Sequence, residues 1–286
     1  MTPTLVRRHH HLHHVSPPHP DVRARARDWA EIQERMLVPL YEAVYERLEV
    51  DSGTRALGLG CGSGLALLMA AARGAYVTGT EADPQRLELA RERLVPDAPD
   101  RGAQAARAQL LGRTPRDVAD PGRPAFNLVT AFDPHSYADG GLVSALAEAA
   151  EVSERSTPVV LAGWGPAERC ATSSVLRVAS RLADPVRART PMPRGWRPCG
   201  RDDLEELAHE AGLRPDGSGR VACPFGYADM DSAVRGLLST GLFDAAVAAT
   251  DRSQVEKELT EALHPHRRRD GTVWMPNVFR YLIALV

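Results

Sequence analysis

Lysine is nearly absent from this chain of 286 residues: Lys257 is the single example, so the basic side chains are almost all arginine. Together with abundant Ala, Gly and Pro, this reads as genomic base composition and carries no functional meaning. Long apolar runs are also missing. None reaches the roughly 20 residues needed to cross a bilayer as a helix, which excludes a helical membrane span. Charge of one sign is lacking too. A formal net charge of −2 gives no global attraction for nucleic acid or for an anionic membrane. Cysteine is sparse. Cys61, Cys170, Cys199 and Cys223 form no C-x-x-C pair, and no neighbouring His or Cys completes a zinc spacing, so no metal site is expected. Arg7 and Arg8 are followed by histidines and prolines where a signal peptide needs an apolar segment. A reduced, cytoplasmic protein is the expectation.

What is present suffices for a core. Hydrophobic residues make up 43% of the chain, and its length suits one large α/β domain or two small ones. Residues 1–27 carry a histidine cluster and Pro17, Pro18 and Pro20 without apolar periodicity, and read as a solvated, disordered tail. The rest, residues 28–286, reads as a single domain. Its first part, 28–50, is a helix on which Trp29, Ile32, Met36, Leu37, Leu40, Tyr41, Val44, Tyr45 and Leu48 share one face. From 51 to 165 strands and helices alternate, which predicts a parallel sheet with crossover helices. Strands are expected at Arg55 to Leu59, Tyr76 to Thr80, Ala108 to Leu111, Phe126 to Phe132 and Pro158 to Ala162. Asp83-Pro84, a capping side chain and a first-turn proline, should start a helix. Residues 166–270 read as mostly helical, with a strand near Arg220 to Pro224 and a helix around Leu204 to Ala211 ended by Gly212. Residues 271–286 should form a final strand or hairpin partner.

The chemistry concentrates between the first strand and the second. Gly58-Leu59-Gly60-Cys61-Gly62-Ser63-Gly64 joins a hydrophobic strand to an apolar helix. Glycines open backbone angles closed to other residues and let a ligand approach the main chain. The helix beginning there offers free N–H groups. An acid at the end of the next strand can accept both ribose hydroxyls, and Glu81 stands there. Dinucleotide sites use G-x-G-x-x-G to seat a pyrophosphate, whereas Gly60, Gly62 and Gly64 give G-x-G-x-G.

These residues resemble the first motif of class I S-adenosylmethionine-dependent methyltransferases, in the group that includes the ubiquinone-biosynthesis type. Val77 to Pro84 is similar to that family's second motif, Phe126 to Phe132 to its fourth-strand motif, and Val159 to Gly165 to its fifth strand. The resemblance covers about Trp29 to Gly165. It implies a Rossmann-like seven-stranded sheet flanked by helices, with the last strand antiparallel. It implies S-adenosyl-L-methionine as cofactor, held by Gly58, Gly60, Cys61, Gly62, Gly64, Glu81, Ala82, Phe132 and Trp29, and a small-molecule methyl acceptor bound by residues 166–270. The family usually carries an acid at the position of Gly58 and an aspartate at that of Asn127. No adenine-binding acid is evident after the third strand, where Asp117 or Asp120 are approximate substitutes.

Methyl transfer needs alignment, exclusion of water and, for some acceptors, a base. His135, past the fourth strand, is the candidate base, with Tyr137 as a wall or hydrogen-bond donor; the alternative for a lone loop histidine is a solvated or packing role. Trp164 lines the acceptor pocket or packs in the core. Asp133-Pro134-His135-Ser136 also resembles the D-P-P-Y loop of nucleic-acid amino-methyltransferases. Pro198-Cys199 lies beside Arg194, Arg197 and Arg201, and Arg267, Arg268 and Arg269 form a second cluster. A nucleic-acid substrate is therefore an alternative, and a non-catalytic cofactor- or partner-binding protein is another. If Glu81 holds the ribose, Glu81→Ala weakens adenosyl-ligand binding by about 1–3 kcal/mol for lost charged hydrogen bonds. An unchanged affinity in calorimetric titration would place the ribose elsewhere.

Overall fold

The computed structural model describes residues 21–95, 108–112, 115–118, 124–133, 141–183 and 202–286. The chain opens with helix α1 (Val22–Asp28), capped by the Asp21 carboxylate, and α2 (Val38–Arg47). Between them, Trp29–Gln33 is a π-helical turn and Glu34–Leu37 a 3-10 turn. Then come β1 (Arg55–Leu59), α3 (Leu65–Ala72), β2 (Tyr76–Thr80), α4 (Pro84–Leu94), β3 (Ala108–Leu111), β4 (Leu128–Ala131), α5 (Gly141–Glu151) and β5 (Pro158–Trp164). The second half contributes α6 (Thr172–Ala183), α7 (Asp203–Glu210), β6 (Arg214–Ala222), β7 (Phe225–Tyr227), α8 (Met230–Ser239), α9 (Asp244–Ala249), α10 (Arg252–Leu263), β8 (Val273–Met275) and β9 (Val278–Leu285).

Seven of these strands form one sheet in the order β3-β2-β1-β4-β5-β9-β6. β1 to β5 run parallel, and the final strand β9 inserts antiparallel between β5 and β6. The expected Rossmann-like architecture with a reversed last strand is therefore present. Successive strand side chains face opposite sides, so each central strand feeds two cores. Leu57, Val129, Leu161 and Leu282 meet Leu146 of α5 and Leu204 of α7 on one side. Val160, Ala162, Tyr281 and Ile283 face the other, with Tyr41, Tyr45, Leu67 and the helices of the second half. The strand order reverses direction between β1 and β4, where a ligand crevice is expected beyond the strands' carboxyl ends.

Three boundaries differ from the sequence expectation. Val22–Asp28 is helical although it falls in the segment read as tail; it buries only Ala26, so it shows no apolar stripe. β6 begins at Arg214, earlier than expected, because its exposure alternates along an edge strand containing Pro215, Gly217 and Gly219, which hides it from a hydrophobic count. The last segment breaks at Pro276-Asn277 into β8, which pairs with β7, and β9. There the Asn277 carbonyl accepts from the Cys223 N–H (2.9 Å) and its side chain from the Thr172 N–H (3.1 Å).

Gly64 shows how tightly the first crossover is packed. It sits at φ 81° at the start of α3, and a Cβ there would stand 3.2 Å from the Ala90 Cα of α4. Gly64→Ala should lower stability by about 2 kcal/mol, from left-handed strain plus the forced contact. A urea-unfolding midpoint moved down at unchanged slope checks this.

Candidate functional site

The glycine turn adopts the conformation that its spacing demands. Gly60, Gly62 and Gly64 lie at φ 60°, 58° and 81°, a region that side chains disfavour. The Cys61 N–H donates to the Thr80 carbonyl (2.9 Å), which pins the turn against the end of β2. Glu81 follows Thr80 and is 4% exposed. Its carboxylate accepts from the Gly62 N–H and from the Asp83 N–H, both at 2.8 Å. Burial raises its pKa, opposed by those N–H groups and by the Arg86 guanidinium. Each oxygen keeps further lone-pair capacity, so the acid that shapes the turn can also accept from a ligand hydroxyl.

A second carboxylate, not foreseen from the sequence, reaches the same turn from the leading segment. Glu34, 2% exposed, accepts from the Ser63 N–H (3.2 Å), from the Ser63 hydroxyl and from Arg93 Nη1 (2.8 Å). The Leu65 N–H also interacts with it. Glu34 thus lies at the N-terminus of α3, where free N–H groups attract an anion. Arg93, near the end of α4, also donates to the Ser63 carbonyl (3.0 Å) and the Ala30 carbonyl (3.1 Å). Burial pushes the Glu34 pKa up, and Ser63 and Arg93 oppose the shift. The π turn explains why this residue escapes a helical reading: the wider turn brings Trp29, Gln33 and Glu34 inward together.

Gly58, at the position where an acid is usual, faces the Leu67 side chain: a Cβ there would stand 3.0 Å from Leu67 Cδ2. A side chain there would require Leu67 to shift by a few tenths of an ångström. Asn127 lies at the other end of β1 and has a structural role. Its side-chain oxygen accepts from the Arg55 N–H (2.7 Å), and its amide donates to the Gly53 carbonyl (3.1 Å). The missing charge at Asn127 is therefore remote from the glycine turn.

A cleft opens over the turn. Trp29, Glu34, Tyr41, Gly58, Gly60, Cys61, Gly62, Phe132 and Asp133 are on its wall. Of the expected cofactor residues, Gly64, Glu81 and Ala82 stand beside this cleft rather than on its wall. Trp29 is 6% exposed, and its Nε1–H finds no acceptor among the described residues. That nitrogen lies 3.1 Å from where a Gly62 Cβ would stand, so it faces the turn. Burial raises the Cys61 pKa, and the nearby Glu81 and Glu34 charges add to the shift. The thiol stays protonated and is no nucleophile.

A second cleft adjoins the first and shares Trp29, Phe132 and Asp133 with it. Trp164 ends β5 on its wall, packed against Phe279 and Phe225 at centroid distances of 4.7 and 5.5 Å. Arg86 of α4 ties the borders together. Its guanidinium lies over the Trp29 ring (4.2 Å), donates to the Ser239 carbonyl (3.1 Å) and stands 3.7 Å from the Asp133 carboxylate. His135, Tyr137, Asp120, Cys199 and the arginines 194, 197 and 201 lie outside the described residues, as does the histidine-rich segment. Arg267, Arg268 and Arg269 are exposed, with Arg268 over the Trp274 ring (4.6 Å). Among the described residues no cluster of His, Cys, Asp and Glu could hold a metal ion, and no helix is long and apolar enough to cross a membrane.

No protein-family profile matches the chain, and no curated protein matches it either. Solved structures do. YjhP from E. coli aligns over 93% of this chain and 100% of its own, at 17% identity and a TM-score of 0.53. A SAM-dependent methyltransferase from Thiobacillus denitrificans, solved with S-adenosyl-L-homocysteine, aligns over 93% and 99%, at 16% identity and a TM-score of 0.52. YcgJ from Bacillus subtilis aligns over 86% and 97%, at 15% identity and a TM-score of 0.52. At these identities the likeness establishes the fold: the chain has the Rossmann-like sheet of class I methyltransferases.

The Glu34 environment sets a pH dependence. Its folded-state pKa lies above the ordinary value of 4.5, so its contribution is fully present below that pH. It is lost as pH rises through the raised value. Over that window the wild type should lose stability relative to Glu34→Gln; melting temperatures of both proteins measured across pH check the direction.

Proposed function

We propose that the protein is an S-adenosylmethionine-dependent methyltransferase acting on a small-molecule acceptor. The observation that carries this reading is the occupied N-terminus of α3. A dinucleotide site needs that helix end for pyrophosphate, but here the Glu34 carboxylate stands on it, held by Ser63 and Arg93. A phosphate there would meet a buried anion. The ligand best suited to the turn therefore has an adenosyl end and no phosphate. Glu81 suits ribose hydroxyls, and Gly60 and Gly62 allow close approach of the main chain.

The methionyl end also finds complementary groups. The unpartnered Trp29 N–H is a donor for a carboxylate, and Glu34, with its charge partly offset by Arg93, lies toward an ammonium. When bound, the sulfonium supplies an activated methyl group. The chain's own contribution is then alignment and exclusion of water. Trp29 and Tyr41 close the first cleft from the leading segment, and Phe132 and Asp133 divide it from the second. Tyr41 is fully buried and its pKa is raised well above the usual value, chiefly by burial, so it stays neutral and acts as a wall. In this reading His135 and Tyr137, which follow Asp133 in the sequence and lie outside the described residues, are the proposed groups for proton handling.

Calorimetric titration with S-adenosylmethionine and S-adenosylhomocysteine tests the proposal. Saturable binding of both is expected, and no heat at millimolar ligand would refute it. Trp29→Phe keeps the ring and removes the donor. It should weaken S-adenosylhomocysteine binding by about 1–3 kcal/mol for a hydrogen bond to a charged group, yet leave 5′-methylthioadenosine, which lacks the carboxylate, unchanged. Equal losses for the two ligands would show that the indole N–H does not read the methionyl end.

A further inference from the structure

The second cleft has a chemistry of its own. Among the described residues, its wall is built from the rings of Trp29, Phe132, Trp164, Phe225 and Phe279, with Leu242 beside them. The rings meet in tilted and edge-on contacts, as in Trp164–Phe279 at 35° and Trp164–Phe225 at 62°, so the wall presents both ring faces and ring edges. Asp133 is the one charged residue on that wall among the described residues. Its carboxylate lies 3.7 Å from the Arg86 guanidinium, which also stands 3.9 Å from the Asp83 carboxylate. An anionic acceptor would face the Asp133 carboxylate against mostly apolar walls, and a cationic one would have to draw Asp133 away from Arg86; both are costly. A neutral, flat molecule meets no such penalty.

We infer that this cleft binds the methyl acceptor, and that the acceptor is an uncharged aromatic molecule carrying one hydroxyl or amine group directed at Asp133. The inference rests on the methyltransferase reading and adds the substrate class. Asp133 lies on the border of both clefts, so a heteroatom hydrogen-bonded to it faces the first cleft, where the methyl donor is proposed to bind. In the transfer, a lone pair of the heteroatom forms the bond to the methyl carbon. The carbon–sulfur bond breaks, and its electron pair goes to sulfur, which becomes a neutral thioether. The proton left on the heteroatom passes to the Asp133 carboxylate, whose partner Arg86 remains charged.

Three probes of one shape separate charge from fit: 2-naphthol, 2-naphthoate and a 2-naphthyl trimethylammonium ion. Each is titrated calorimetrically into the full-length protein saturated with S-adenosylhomocysteine. 2-Naphthol should bind at least about tenfold more tightly than either ion, a difference of about 1.4 kcal/mol. Thr240, half-buried on the wall of the second cleft and absent from that of the first, offers a block. Thr240→Trp should abolish 2-naphthol binding and leave S-adenosylhomocysteine affinity unchanged. An ion that binds as tightly as naphthol overturns the inference, and so does a folded Thr240→Trp protein with naphthol affinity intact. The charge series on the wild type decides the matter even if that variant does not fold. Absence of S-adenosylhomocysteine binding refutes the methyltransferase reading itself, whereas its binding without a preference for naphthol refutes only the substrate class.

Discussion

The buried ion pair between Glu34 and Arg93, clasping Ser63 between them, is the interaction on which the site depends. It joins three pieces of chain: the leading segment, the glycine turn and the end of α4. Removing Arg93, itself 23% exposed, would leave the Glu34 charge buried and uncompensated, a loss of about 3–5 kcal/mol for such pairs. The same carboxylate occupies the helix end that would otherwise attract a phosphate. One side chain therefore both fastens the leading segment over the cleft and, in the proposed reading, restricts which nucleotide the fold accepts.

Arg86 plays the corresponding part on the outer side. It stacks on Trp29, reaches the end of α8 through the Ser239 carbonyl and balances Asp133. Arg86 and Arg93, two of the three arginines of α4, thus face different neighbours: Arg93 holds the leading segment to the turn, and Arg86 holds it to the border between the two clefts. Because Trp29 contributes to both walls, any movement of that ring changes both volumes. Phe132 and Asp133 also line both clefts, so the two share three residues.

Much of the fold is legible in the sequence because its signals are local. Arg55–Leu59, Tyr76–Thr80 and Ala108–Leu111 read as strands from their composition, and Asp83-Pro84 marks a helix start by cap and proline. The left-handed glycines at 60, 62 and 64 are equally direct, since their spacing is the backbone conformation itself. The site is only partly legible. Glu34 is hidden because a π turn breaks the 3.6-residue period, and its partners Ser63 and Arg93 are 29 and 59 residues away. Asp133 and Arg86 acquire meaning only once β4 and α4 meet. The reverse error is equally instructive. Asn127 looks like a lost functional charge in the motif, yet it precedes β4 and its side chain closes the end of β1 opposite the glycine turn.

The central claim is that this glycine turn takes an adenosyl ligand without phosphates because Glu34 already fills the end of α3. Competition calorimetry with S-adenosylhomocysteine against NADH measures it most directly. The account predicts that S-adenosylhomocysteine binds at one site and that NADH neither binds nor displaces it. Binding of NADH with an affinity equal to or above that of S-adenosylhomocysteine would contradict it.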